Sequence, residues 1–324
     1  MFSLTDKHAL LKGFVFRLIK KRIAGATLDA ALQEARKNYN TGMRTTLTFL
    51  NDNVDEPAKA RYNANTYVQL ARQACRLHLN ADISLRLSQI GSRLNHGILD
   101  KCLADVMRIV DGTDTKVWFE AERGSDMQDF FDTYRRYRRE YKNIGIELPL
   151  WYQLDVSTIK ANLRPKDAVK ITAYNFSGLE ESLKIGKVKK AGKGRRENRN
   201  GNGNGGDVPS SKHVFEKYIS NISKLLAAGI DVSVLDSDEK TIVKLAGFSK
   251  EYKKDLIFEL PLGSNRKWIS KLMKMKVRLS VYTPYGKDWE PYMANRWAVR
   301  HERLRGLATK VLDIEEKGDG NDGK

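Results

Sequence analysis

Cysteine is scarce in this chain. Of 324 residues, two are cysteines, Cys75 and Cys102, and they lie far apart. Their separation lacks the short spacings typical of metal ligands. Both fall within helical patterns, so we expect them to be inert thiols in or near the core. So little cysteine indicates a reducing, cytoplasmic setting and argues against a fold held together by disulfides.

A long hydrophobic run is also missing. No apolar stretch approaches the roughly 20 residues that a membrane-spanning helix needs. The nearest candidate, residues 9–19, is interrupted by Lys12, Gly13 and Arg17, and it has no small-residue cleavage site. We therefore expect a leading amphipathic helix and no signal peptide. The alternative is peripheral contact with the inner membrane face through this segment and the basic cluster 20–22.

Acidic residues are outnumbered, 40 against 58 Lys and Arg, which gives a net charge of +18. Part of this excess is local, because residues 184–199 carry eight basic residues and one Glu. Residues 184–211 are basic and then Asn/Gly-rich, with too few apolar side chains to form a packed element. We predict a disordered insertion there, with a lid or interaction role as the alternative. Nucleic acid is the partner that this pattern favours least.

Alternation of strand and helix patterns dominates the rest of the chain. Eight short, β-branched or alternating runs are each followed by a helical pattern, which favours a parallel β/α barrel over an open sheet. The predicted fold class is α/β, a distorted (β/α)8 TIM-type barrel at 43–312, with an N-terminal helical segment at 1–42 and a disordered acidic tail at 313–324. The predicted strands are 44–50, 83–89, 116–122, 146–152, 168–174, 232–235, 256–260 and 277–281.

The stretch 282–297 carries several side chains suited to ligand binding. Pro284 and Gly286 are predicted to end the last strand, and a helix is predicted to start near Trp289. Tyr292, Asn295, Arg296 and Val299 would share one face of that helix, because positions three and four apart lie side by side. Strand and helix would bring Tyr282 and Arg296 to the carboxyl ends of the strands, where ligands bind in such folds.

Three motifs resemble those of the proline dehydrogenase family. Ile23-Ala-Gly-Ala-Thr-Leu-Asp-Ala-Ala-Leu32 looks like its N-terminal "AGET…AL" signature, and Ile83-Ser-Leu-Arg-Leu-Ser-Gln-Ile-Gly91 resembles "SLKLSQLG". Tyr285-Gly-x-x-Trp289-x-x-Tyr292-x-x-Asn295-Arg296 is similar to "YGxxWxxYxxRR". The likeness stays in register from about residue 15 to residue 310. It implies an FAD-dependent oxidation of L-proline, or a related imino acid, to 1-pyrroline-5-carboxylate, with a quinone or other electron acceptor.

The resemblance also implies two sets of site residues. Residues expected to bind the substrate are Arg86, Glu120, Tyr282, Asn295 and Arg296. Residues expected to bind the cofactor are Lys170, Tyr174, Asp236, Ser237 and Glu259. No metal site is expected.

Several positions depart from the family pattern. Arg86 replaces a lysine, Glu120 an aspartate and Asn295 the first arginine of the terminal pair. Pro149 stands at a glutamine, and Ala168 stands at an arginine of the fifth strand. These changes leave open a second hypothesis, a catalytically degenerate barrel that binds or senses a small molecule. Arg86 with Glu120 could equally be a buried ion pair, and Tyr174 and Tyr282 could be ordinary aromatics of the barrel end.

Overall fold

The protein forms a closed barrel of eight parallel strands, which confirms the predicted fold class. Each strand pairs with its neighbours in chain order, and the eighth closes on the first. The computed structural model describes residues 20–51, 54–122, 126–149, 156–172, 211–235, 239–252 and 256–289. The strands are β1 Arg44–Phe49, β2 Ala81–Arg86, β3 Val117–Glu120, β4 Ile144–Pro149, β5 Ala168–Thr172, β6 Asp231–Leu235, β7 Ile257–Pro261 and β8 Arg278–Tyr285.

Helices cover the outside of this barrel. Within the described residues they are α1 Leu28–Asn40, α2 Pro57–Arg76, α3 His96–Val110, α4 Met127–Tyr137, α5 Val156–Asn162, α6 Ser211–Ala227, α7 Glu239–Glu251 and α8 Arg266–Lys274. Side chains that face outward from the strands, such as Leu47, Ile83 and Phe119, are fully buried beneath these helices. The main hydrophobic core is therefore the layer between the barrel wall and the helices.

Capping residues set the limits of α1. Thr27 accepts a hydrogen bond from the backbone N–H of Ala30 at 3.3 Å, which satisfies one of the free donors of the first turn. The helix ends at Asn40, and Gly42 then takes a positive φ of 78° that a side chain would disfavour. Ala31, Leu32 and Ala35 form its buried face.

β2 ends three residues earlier than predicted. Residues Leu87–Ile90 form a short 3-10 turn instead of continuing the strand. The Gln89 side chain decides this, because its amide donates to Phe49 O at 2.7 Å and its oxygen accepts from Arg86 N at 3.1 Å. A buried polar side chain that caps the strand end thus overrides the alternating apolar pattern.

β8 was predicted to break at Pro284, and that prediction is wrong. The strand continues to Tyr285, with Pro284 paired in register with Thr48 of β1. The pairing of β7 with β8 stops at Tyr282, so no strand on that side needs the hydrogen bond that proline cannot donate. The backbone N–H of Ala24 instead donates to Pro284 O at 2.9 Å.

β4 begins and ends earlier than predicted, at Ile144–Pro149. Residues 150–152 of the predicted strand lie outside the described residues. The same holds for residues 184–210 of the predicted insertion and for the whole tail 313–324. The predicted domain limits therefore stay predictions. No helix within the described ranges is both long enough and apolar enough to cross a membrane.

Gly145 gives the barrel interior room for a tryptophan. A Cβ atom at this position of β4 would lie 2.6 Å from Trp118 Cζ3 of β3. We expect Gly145→Ala to lower the free energy of unfolding by about 1–3 kcal/mol, because the buried indole cannot move without repacking its neighbours. Urea denaturation of the two proteins measures this difference.

Gly247→Ala provides the matched control. Gly247 lies in α7, where no described atom comes within 4 Å of the added Cβ. This substitution should raise the free energy of unfolding by about 0.5–1 kcal/mol, because alanine is the better helix former. Equal effects of the two changes would contradict the close packing of Trp118 on Gly145.

Candidate active site at the carboxyl-terminal mouth of the barrel

Three ionisable side chains lie together in the middle of the barrel interior. Glu147 of β4, Lys170 of β5 and Glu259 of β7 are all exposed by 2% or less. The Lys170 ammonium lies 2.7 Å from Glu259 Oε2 and 3.6 Å from Glu147 Oε2. We call these three residues the buried triad.

Hydroxyl groups complete the environment of the buried triad. Glu147 accepts hydrogen bonds from Ser84 at 3.3 Å and from Thr172 at 3.1 Å. Glu259 accepts from Ser280 at 3.1 Å and also from Thr46. Three of the hydroxyls come from further strands, β1, β2 and β8, and that of Thr172 comes from β5, because alternate residues of every strand face the interior.

The pKa of Lys170 is shifted by two opposing causes. Burial alone lowers it, since a charge is costly away from water. The adjacent carboxylates of Glu259 and Glu147 outweigh burial, so that the pKa of Lys170 is raised above its ordinary value. Lys170 is therefore a cation that counters two buried carboxylates.

Three predicted substrate-binding residues come together closer to the carboxyl-terminal mouth than the buried triad. Arg86, the last residue of β2, is the register partner of Glu120, the last residue of β3. The Tyr282 hydroxyl of β8 donates to Glu120 Oε2 at 3.5 Å. The carboxyl ends of three strands thus bring a guanidinium, a carboxylate and a phenol to one side of the barrel mouth.

The mouth also has an apolar side. Leu50, Leu235 and Tyr282 form a small buried cluster, and Ile23 and Trp289 pack against it. Tyr282 therefore borders both sides of the mouth, with its ring in the apolar cluster and its hydroxyl on Glu120. A charged group next to an apolar cluster suits a small ligand that has one polar and one apolar part.

Lys170 and Glu259, predicted to bind a cofactor, lie in the buried triad below the mouth and contact each other. The remaining predicted site residues, Tyr174, Asp236, Ser237, Asn295 and Arg296, lie outside the described residues. All these roles stay predictions. Within the described part of the chain, no group of three or more His, Cys, Asp or Glu could hold a metal ion.

Two buried residues near the site, Glu147 and Tyr67, were not predicted from the sequence. Glu147 belongs to a strand pattern, but its partner Lys170 is recognisable only from the fold. Tyr67 of α2 is buried below the mouth, where its hydroxyl donates to Gln89 Oε1 at 2.8 Å. Burial raises the pKa of Tyr67 far above its ordinary value, so it stays a neutral hydrogen-bond donor. The period-two position of Glu147 on β4 was the available signal for its inward direction.

Comparison with known proteins supports this reading of the barrel. No protein-family model matches the chain. Proline dehydrogenase 1 of Bacillus subtilis is 21% identical over 309 residues, with 92% of this chain and 94% of the relative covered. Proline dehydrogenase of Deinococcus radiodurans is 22% identical over 294 residues, covering 88% of this chain and 86% of the relative.

Solved structures show the same fold. The proline utilization A (PutA) protein of Bdellovibrio bacteriovorus, inactivated by N-propargylglycine, superposes with a TM-score of 0.67 at 15% identity over 86% of this chain. PutA of Corynebacterium freiburgense gives a TM-score of 0.67 at 13% identity over 91% of this chain. The chain spans 32% of the length of each of these PutA proteins.

A closed parallel barrel with convergent polar groups at its carboxyl-terminal mouth defines a β/α-barrel protein with a candidate ligand site where such folds bind their ligands. The relatives that match nearly its whole length are named proline dehydrogenases. The chain is therefore similar to the proline dehydrogenase family along nearly all of its length, at 21–22% identity.

Proposed function

We propose that this protein binds L-proline at the carboxyl-terminal mouth and oxidises it to 1-pyrroline-5-carboxylate, with FAD as the electron acceptor. The observation that carries the proposal is the meeting of Arg86, Glu120 and Tyr282 at one side of the mouth. These residues were expected from the family resemblance, and the relatives that match the chain are named proline dehydrogenases.

The three side chains have separate roles in holding the substrate. The Arg86 guanidinium would bind the proline carboxylate through charge-assisted hydrogen bonds, which its planar fork favours. The Glu120 carboxylate would accept a hydrogen bond from the substrate nitrogen and take its proton when the carbon–nitrogen double bond forms. The Tyr282 hydroxyl orients Glu120, and its ring would support the apolar part of the pyrrolidine.

The apolar side of the mouth fits a flavin ring. When bound, FAD supplies the hydride acceptor, which no amino-acid side chain provides. The buried cluster of Leu50, Leu235 and Tyr282 would supply apolar contacts of the kind that such a ring needs. The predicted residues Tyr174, Asp236 and Ser237 would hold other parts of the cofactor. A quinone, reached by peripheral contact of this basic protein with a membrane, would then take the electrons.

One observation favours the second candidate, a barrel that binds a small molecule without flavin chemistry. Lys170 was predicted to bind the cofactor, but it is fully buried and occupied by Glu147 and Glu259. A lysine held in this way is not available to a cofactor phosphate. The substrate side of the mouth would be kept in that case, while the flavin side would be lost.

Visible absorption of the purified protein separates the two candidates. We expect a bound flavin in about one equivalent per chain after purification in the presence of FAD. Anaerobic addition of L-proline should bleach its visible band, because hydride transfer to the flavin ring removes that absorption. D-proline is the control for stereospecific binding.

Three outcomes are informative. Bleaching by L-proline and not by D-proline supports the enzyme. A flavin that L-proline does not bleach contradicts proline oxidation while leaving cofactor binding in place. A protein that holds no flavin after reconstitution contradicts the enzyme and favours the second candidate.

A further inference from the structure

A cavity lies at the opposite end of the barrel from the proposed active site. Its volume is about 520 Å³, which is within the range of small-molecule sites. It opens where the strands begin, so that its lining includes the first residues of β1, β6 and β8. We call it the amino-terminal cavity, and its charged and aromatic lining residues are Arg44, Asp82, Asp114, Lys116, Trp118, Asp231 and Arg278.

Trp118 lies between this cavity and the barrel interior. Its side chain is 3% exposed, and its indole N–H donates to Asp82 Oδ2 at 3.3 Å. The ammonium groups of Lys116 and Lys170 lie 5.1 Å and 4.7 Å from its ring centroid. Because Lys170 belongs to the buried triad, the indole separates the cavity from the interior charges.

The Asp82 carboxylate already accepts three hydrogen bonds within the protein. It accepts from Arg44 at 2.6 Å, from the backbone N–H of Lys116 at 3.1 Å and from Trp118. Arg44 also donates to Asp114 O at 3.2 Å. Arg44 and Asp82 therefore form a structural ion pair that closes one side of the cavity.

Unlike Arg44, the Lys116 ammonium has no ion-pair partner in the described part of the chain. Among the described residues, no carboxylate lies within ion-pair distance of this ammonium group, which instead lies over the Trp118 ring. Burial lowers the pKa of Lys116, and the more distant carboxylates of Asp82 and Asp231 do not compensate. A half-buried cation without a close anion is costly, and a ligand carboxylate would relieve that cost.

Asp231 offers the opposite charge at the rim. Its side chain is exposed, and no described residue donates a hydrogen bond to its carboxylate. Counted over the cavity lining, three cations (Arg44, Lys116, Arg278) face three anions (Asp82, Asp114, Asp231), so the net charge is zero. This balance disfavours a ligand with a large net charge and favours one that carries both signs.

We propose that the amino-terminal cavity binds a small zwitterion of amino-acid to dipeptide size, with its carboxylate on Lys116 and its ammonium group on Asp231. The site is separate from the proposed active site, since the two lie at opposite ends of the strands. Occupancy would order the amino-terminal end of the barrel without entering the reaction.

Isothermal titration calorimetry with glycylglycine tests this assignment on the full chain. We expect measurable binding to the unmodified protein, and about 10- to 100-fold weaker binding to Lys116→Met and to Asp231→Asn, because each removes one charge-assisted contact. Lys101→Met and Asp105→Asn, at exposed positions of α3, are the matched controls and should bind as the unmodified protein does.

Two further probes, one dicarboxylate and one diamine, test whether the cavity requires both signs of charge. Succinate and putrescine are also small and flexible, but each carries two charges of one sign, so both should bind more weakly than glycylglycine. Equal binding of glycylglycine by all four variants, tighter binding of succinate or putrescine, or no binding by any probe would overturn the proposal. Circular dichroism checks that each variant is folded. L-proline turnover should not change in Lys116→Met, which separates this test from that of the proposed enzyme.

Discussion

Lys170→Met is expected to lower the free energy of unfolding by about 3–5 kcal/mol, the cost typical of removing one partner from a buried ion pair. The methionine fills the volume of the lysine but leaves Glu147 and Glu259 facing each other, both at most 2% exposed. Urea denaturation at neutral pH measures the loss. Because the pKa of Lys170 is raised, the lysine is fully charged there, and its stabilisation is lost only as pH rises through that pKa.

A combined variant separates charge from packing. Adding Glu147→Gln and Glu259→Gln to Lys170→Met removes the unpaired charges, so most of the lost stability should return. Lys101→Met makes the same substitution at an exposed position. Its free energy of unfolding should stay within about 0.5 kcal/mol of that of the unmodified protein. If the single and triple variants are equally unstable, packing of the lysine stem and not charge balance accounts for the effect.

Arg86→Met is expected to reduce kcat/KM for L-proline by about 10- to 100-fold, because one charge-assisted hydrogen bond contributes about 1.5–3 kcal/mol. The loss should fall mainly on KM, since the guanidinium would hold the substrate carboxylate before and during the reaction alike. Steady-state kinetics and the Kd of L-proline measure both parts. Arg86→Lys, which restores the lysine of the family pattern, should retain most of the activity.

Arg93→Met is the control for this prediction. Arg93 is exposed and lies 3.5 Å from Glu122, after the turn that follows β2. Its removal should leave KM nearly unchanged, because exposed ion pairs contribute little. Unchanged kinetics in Arg86→Met, or an equal loss in Arg93→Met, would show that Arg86 does not bind the substrate.

The strand positions could be predicted from the sequence because inward and outward residues alternate along each strand. Errors occurred where a single polar or backbone interaction decides the end. Gln89 ends β2 by capping it, and Ala24 supports β8 beyond Pro284. The bond from Gln89 to Phe49 and the bond from Ala24 to Pro284 join residues far apart in sequence, so neither leaves a trace in the periodicity near the strand end.

The candidate site was partly predictable for a different reason. Arg86, Glu120 and Tyr282 were found through motifs that resemble a family, and the register of β2 and β3 then places the first two opposite each other. The strand and helix pattern had already placed Tyr282 at the mouth, whereas composition and periodicity alone would not have selected Arg86 and Glu120. Lys170 was selected as well, but its contact with Glu259 assigns it to the interior.

By itself, the sequence determined the eight alternations of strand and helix, the barrel class and the inward side of each strand. Local chemistry suffices for these features, because hydrophobic periodicity and capping act within a few residues. The tertiary structure decided which charges meet. Closing the barrel brings Lys170 against Glu147 and Glu259, and it places Lys116 over Trp118 at the other end. Such pairs depend on strand register around the whole barrel, which no local pattern specifies.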